Sequence, residues 1–84
     1  MGVNIIFFAG LREALGISSE AFDLPADVGT VGALRDALAA RGESWQVLLT
    51  TRNLRSAVNQ KMVGLDAPLK DGDEVAFFPP VTGG

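Results

Sequence analysis

The sequence predicts an α+β domain in which one main helix lies on a small mixed sheet. Three observations carry that expectation. Val3 to Ala9 and Glu74 to Pro79 are short runs of β-branched and aromatic residues, the composition of strands. Between them, Val31, Leu34 and Leu38 recur at helical spacing. No repeat, linker or low-complexity stretch divides the 84 residues, so one domain with a modest core is expected.

The elements follow in order. Val3 to Ala9 (VNIIFFA) is the first strand. Leu11 to Leu15 is a short helical turn stopped by Gly16, and Glu20 to Leu24 alternates weakly into an edge strand that ends at Pro25. Thr30 has the chemistry of a helix N-cap. Ala33, Ala37 and Ala40 support the helix it starts, and Gly42 is placed as its C′ stop. Trp45, Leu48 and Leu49 form a second, shorter helical patch. Ser56 to Gln60 reads as a third strand, with Lys61 to Val63 running on into it or beside it. Asp71-Gly72-Asp73 is a turn, and Glu74 to Pro79 closes the order β, short α, β, α, short α, β, β.

Side chains alternate between the two faces of a strand, so parity assigns faces. Val3, Ile5 and Phe7 share one face with Val75 and Phe77. The opposite face starts with the polar Asn4 and Glu74 and is the outer one. That face also carries Ile6, Phe8 and Phe78, pointing away from the main helix. Two arrangements accommodate them: a sheet covered on both faces by short helices and loops, or an exposed apolar patch that marks a partner site.

Composition removes several function classes. There is no Cys and no His, which excludes disulfides, thiolate zinc sites, nucleophilic thiols and the usual near-neutral base. Ten acidic and seven basic residues give a net charge of −3, and the basic residues are scattered rather than clustered, so nucleic acid is not an expected partner. An anionic small molecule would be held only if another chain supplied positive charge. Met1 to Asn4 lacks a positive n-region, and the apolar run Ile5 to Ala9 is too short to span a membrane; a cytoplasmic location is the expectation. An enzyme acting alone would depend on Asp23, Asp27, Asp66, Asp71 or Asp73, which stand at turns where Asp is expected for backbone reasons.

The unusual feature is the end, Pro79-Pro80-Val81-Thr82-Gly83-Gly84. Two prolines cannot continue a ladder and favour a stiff, extended exit. The five residues from Pro80 reach roughly 17 Å when extended. At average usage, a Gly-Gly end arises by chance in roughly 0.5% of chains. A glycine tip can enter a channel too narrow for any Cβ. The group presented there is the α-carboxylate, which with a pKa of about 3.5 is anionic at neutral pH and a poor acyl acceptor until activated. Activation as an acyl-adenylate needs ATP, and the chain lacks a G-x-x-x-x-G-K-[ST] phosphate loop, so another enzyme must supply the ATP site.

The opening IIFFAGLREALG, the middle AVNQ at Ala57 to Gln60 and the ending DGDEVAFFPPVTGG resemble the small subunit of molybdopterin synthase, a sulfur carrier of molybdenum cofactor biosynthesis. The similarity covers nearly the whole chain and is most specific over Asp71 to Gly84. It implies a ubiquitin-like β-grasp fold over residues 1–78, with residues 79–84 as a protruding C-terminal tail. It implies that Gly84, following Gly83, is adenylated by an enzyme related to ubiquitin-activating enzymes, at the expense of ATP. A sulfur donor enzyme then converts it to a thiocarboxylate. The tail would insert into the large subunit of a heterotetrameric synthase and deliver sulfur to cyclic pyranopterin monophosphate. The family's interface positions fall on Phe8, Arg12, Met62 and Phe78, with Pro79, Pro80, Val81 and Thr82 entering the partner. The chain itself is then a carrier that binds no cofactor and no metal. The alternatives are the sulfur carrier of thiamine thiazole synthesis, which also ends in Gly-Gly, and a non-covalent β-grasp interaction module.

Overall fold

The computed structural model describes residues 2–80. The chain forms β1 (Gly2–Phe7), α1 (Ala9–Leu15), β2 (Ser19–Asp23), α2 (Val31–Ala39), a 3-10 turn (Glu43–Gln46) running into α3 (Val47–Thr50), β3 (Arg55–Val58), β4 (Lys61–Val63) and β5 (Glu74–Phe78). The five strands make one mixed sheet in the order β2-β1-β5-β3-β4. The two terminal strands, β1 and β5, are parallel neighbours at its centre, and the remaining pairs are antiparallel. With the helices on one side, this is the expected β-grasp arrangement.

The core lies between the sheet and the helices. Parity assigned Val3, Ile5, Phe7, Val75 and Phe77 to the inner face, and all five are buried. They pack with Leu11 of α1, Val31, Leu34 and Leu38 of α2, and Leu48 of α3 in one cluster. Phe7 stacks on Phe77 at 6.3 Å between ring centroids and meets the edge of Trp45 at 5.7 Å. Because every helix contributes to this one cluster, α2 is not the sole cover of the inner face, and the outer face has no helix on it among the described residues.

Local chemistry sets most boundaries. The hydroxyl of Thr30 accepts from the Ala33 amide at 3.2 Å, the expected N-cap. Gly16 ends α1 at φ 76°, donating to the Arg12 carbonyl at 2.9 Å. Several boundaries differ from expectation, β2 among them at Ser19–Asp23 rather than Glu20 to Leu24. β1 stops at Phe7, because Ala9 takes φ 52° and starts α1 two residues before Leu11. α2 is closed by Ala40 in right-handed geometry, with Arg41 donating to Leu38, so Gly42 is not its stop but the N-cap of the 3-10 turn. The Ser56 to Gln60 run is interrupted: Asn59 and Gln60 adopt φ 52° and 70° and fold β4 back beside β3 as a two-residue hairpin. Finally, β5 ends at Phe78 rather than Pro79, which has no amide to donate.

Candidate functional site

The outer face is built from alternate residues of the strands, and register places them in rows. Ile6 of β1 lies opposite Ala76 of β5, Ala76 opposite Ala57 of β3, and Ala57 opposite Met62 of β4. One step toward the C-terminal end of β5, Phe78 lies opposite Arg55 of β3. One step the other way, Asn4 lies opposite Glu74. The face therefore grades from polar at the start of β1 and β5, through small and apolar residues, to aromatic and basic at their ends.

Phe8 is held out of the core by its backbone. Its amide donates to the Phe77 carbonyl at 3.2 Å and its carbonyl accepts from Leu11 at 3.1 Å. The chain thus turns inward only after Phe8, and the φ of 52° at Ala9 makes that turn. The Phe8 ring stays 47% exposed and meets the half-buried Phe78 edge to face, 6.2 Å between centroids. Met62, 57% exposed, closes the other side of the patch. Between the aromatic pair and Met62, Ala57 and Ala76 make a shallow floor; Ala57 is only 7% exposed although it faces outward. An open apolar face of this kind is what a protein partner covers.

Of the residues proposed from sequence, Phe8, Met62 and Phe78 come together on this one face. Arg12 is exposed on α1, the element that follows Phe8 directly. Pro79 and Pro80 leave β5 from Phe78 and are half-buried. The expectations for Val81, Thr82, Gly83 and Gly84 lie outside the described residues. Arg55 and the two alanines were not singled out from sequence. Only register, set when β5 pairs with β3, reveals them as neighbours of Phe78 and Met62.

Of the five carboxylates that an enzyme acting alone would depend on, Asp71 and Asp73 are engaged in holding loops. Asp71 accepts from the Gly2 amide at 2.7 Å. Asp73 accepts from the Asn59 side-chain amide at 2.9 Å and from the Lys70 backbone at 2.8 Å, and those bonds, Asn59 first, lower its pKa. Among the described residues there is no group of three or more His, Cys, Asp or Glu able to hold a metal ion. No helix among them is long and apolar enough to cross a membrane.

Comparison with known proteins agrees with this geometry. The model of the ThiS family matches residues 5–84. The molybdopterin synthase sulfur carrier subunit of Escherichia coli (strain K12) is 50% identical over 82 residues, covering 98% of this chain and 99% of the relative. SAMP1 from Haloferax volcanii superimposes with a TM-score of 0.81 at 28% identity, over 100% of both chains. In the complex of subunits 1 and 2 of the molybdopterin-converting factor from Helicobacter pylori 26695, one chain matches with a TM-score of 0.68 at 27% identity, again over 100% of both. An inner core and open outer face drawn from nearly every part of the chain fit a similarity that runs its whole length, and the chain belongs to the ThiS family, as a homologue of molybdopterin synthase sulfur carrier subunits.

Proposed function

We propose that this chain is the sulfur carrier subunit of a molybdopterin synthase. Gly84 is its reactive residue. An adenylating enzyme joins the Gly84 carboxylate to AMP from ATP, releasing pyrophosphate. A sulfur donor then displaces AMP and leaves a terminal thiocarboxylate. With the tail seated in the large subunit, that sulfur passes to cyclic pyranopterin monophosphate. The carrier docks through Phe8, Arg12, Met62 and Phe78, and Pro79 to Thr82 lead Gly83 and Gly84 into the partner's active site.

The observation that carries this reading is positional. The pair of exposed Phe8 and half-buried Phe78 stands at the end of β5 from which the chain departs through Pro79 and Pro80. A partner that covers the patch therefore receives the residues that follow Pro80 from a fixed origin. The chemistry suits the composition: with no Cys there is no side-chain thiol to carry sulfur, and a thiocarboxylate supplies a soft sulfur nucleophile at the main-chain terminus. The substrate is a phosphorylated anion, so basic groups of the large subunit hold it and supply most of the catalysis. The partner assignment is supported by the Helicobacter pylori complex, in which a homologous chain is bound to a second subunit.

The test is intact mass after incubation with the adenylating enzyme, ATP and a sulfur donor. The expected result is exchange of one oxygen for sulfur at the C-terminus, lost when Gly84 is deleted; an unchanged mass overturns the reading. Addition of the synthase large subunit and cyclic pyranopterin monophosphate then separates this carrier from one serving thiamine thiazole synthesis, which would keep its sulfur.

A further inference from the structure

Carboxylates border the start of β1 and β5, together with Lys70, which lies beside Asp73. Asp23 pairs with Gly2 in the β1–β2 ladder, Asp71 accepts from the Gly2 amide, and Glu74 lies opposite Asn4; all mark the end of the sheet remote from the tail. The opposite end carries Arg55, directly across from Phe78, and the helix that follows Phe8, which bears Arg12 beside Glu13. Both arginines are exposed. The ion pairs among the described residues are Arg35–Asp36 and Arg41–Glu20, so neither Arg12 nor Arg55 is matched by a carboxylate of those residues. A protein of net charge −3 thus sets one exposed arginine across from Phe78 of its aromatic pair and a second on the helix that follows Phe8.

We propose that Arg55 is a partner-selecting residue: with Arg12 it forms a basic rim that pairs with carboxylates bordering the apolar docking surface of the synthase large subunit. This rests on the carrier reading above and names the charge its partner must present. Arg is suited to the role because its planar fork binds a carboxylate through two parallel hydrogen bonds. The rest of the chain is acidic and would repel an acidic partner, so the rim also selects orientation, turning the tail end toward the surface during approach. Arg55 needs no movement to act, since its strand is fixed between β5 and β4.

Association of the full-length chain with the large subunit, followed by stopped flow and calorimetry across a salt series, tests the assignment. Arg55→Glu is expected to slow association by roughly tenfold at low salt, with a smaller loss for Arg55→Ala. Both losses should shrink toward nothing near 1 M salt, where screening acts within about 3 Å. Arg35→Ala, in α2, should match the wild type, and circular dichroism should show all variants folded. Equal rates for Arg55→Glu and wild type at low salt overturn the proposal and leave the carrier reading intact. A loss that persists undiminished at high salt overturns it too, because packing rather than charge would be at work. Failure of the wild-type chain itself to bind the large subunit overturns the carrier reading, and the proposal with it. Salt-sensitive self-association that Arg55→Glu abolishes would assign the rim to a second copy and refute the proposal.

Discussion

Ala9 occupies φ 52°, a conformation that costs an L-residue with a Cβ about 1–2 kcal/mol. The position keeps Phe8 outside while Leu11 enters the core, so the strain sits where the docking face meets the fold. Gly16 meets a similar requirement without that cost, at φ 76° with open space where a Cβ would stand. Gly16→Ala is therefore expected to destabilise through backbone conformation alone, by about 1 kcal/mol, read as a melting temperature lower by roughly 4–8 °C. A second residue-scale feature is Arg41. It forks onto both carboxylate oxygens of Glu20, one at 2.8 Å, and lies over the rings of Trp45 at 4.6 Å and Phe22 at 5.2 Å. The hydrogen bond from Arg41, its main cause, lowers the Glu20 pKa below the ordinary 4.5 despite some opposing desolvation. A carboxylate whose pKa is depressed by folding adds stability above its unfolded pKa and loses it as pH falls through the folded value. Melting temperature should accordingly hold steady near neutrality and decline below about pH 4.5, with Asp73 contributing in the same direction. Glu20→Gln should show a shallower decline in calorimetry over that range; parallel curves would remove Glu20 from the explanation.

At the scale of elements, the β3–β4 hairpin shows how a turn decides an edge. Asn59 and Gln60 both take positive φ, the requirement of a type I′ turn, for which Asn-Gly is the favoured pair. Asn59 also clasps the start of β5: its amide donates to Glu74 at 2.8 Å, its side-chain oxygen accepts from the Glu74 amide at 3.0 Å, and its side-chain nitrogen donates to Asp73 at 2.9 Å. Gln60 makes no comparable commitment and sits in the left-handed region. Gln60→Gly should therefore raise the melting temperature by several degrees, about 1 kcal/mol, whereas Asn59→Gly should lower it. The N-cap of α2 offers a parallel check. Thr30→Ala removes the acceptor for the Ala33 amide and should cost about 1 kcal/mol, visible in the urea midpoint with an unchanged slope.

For the whole molecule the decisive property is that all helices pack on one face of the sheet, leaving Phe8, Met62 and the half-buried Phe78 on the other. A chain this small buries only somewhat more than about 60% of its unfolded surface, so an uncovered apolar face is a material omission from its core. Coverage by a partner should raise its apparent stability by mass action, measurable as a melting temperature that climbs with partner concentration. Phe78→Ala should weaken association with the large subunit by about 2 kcal/mol, the scale of an interface anchor, while the isolated domain melts within a few degrees of the wild type. A melting temperature that collapsed instead would place Phe78 in the core and not in the interface.

Much of this was legible in the sequence because its signals are local. Strand parity separated Phe7 and Phe77 from Phe8 and Phe78, since successive side chains in a strand must face opposite ways. The Thr30 cap, the Gly16 stop and the Gly-Gly terminus are likewise readable from neighbouring residues alone. What sequence misplaced or left open were junctions, where a few φ angles decide: Ala9 ended β1 early, Asn59-Gln60 ended the third strand at Val58 and set Lys61–Val63 beside it rather than in line with it, and Gly42 served the next turn instead of closing α2. Whether the outer face was covered could not be read locally, because short helices can pack on either side of a sheet. That was decided only when Leu11, Leu34, Leu38 and Leu48 converged on the same inner cluster. The neighbours of Phe78 needed tertiary structure for the same reason: Arg55 is 23 positions away along the chain, and only the β3–β5 register brings it alongside. Sequence alone determined which residues face outward and that Gly83-Gly84 follow the two prolines after β5. Tertiary structure decided that the outward face stays open and which charges border it, because strand pairing and helix packing join residues that no local pattern relates.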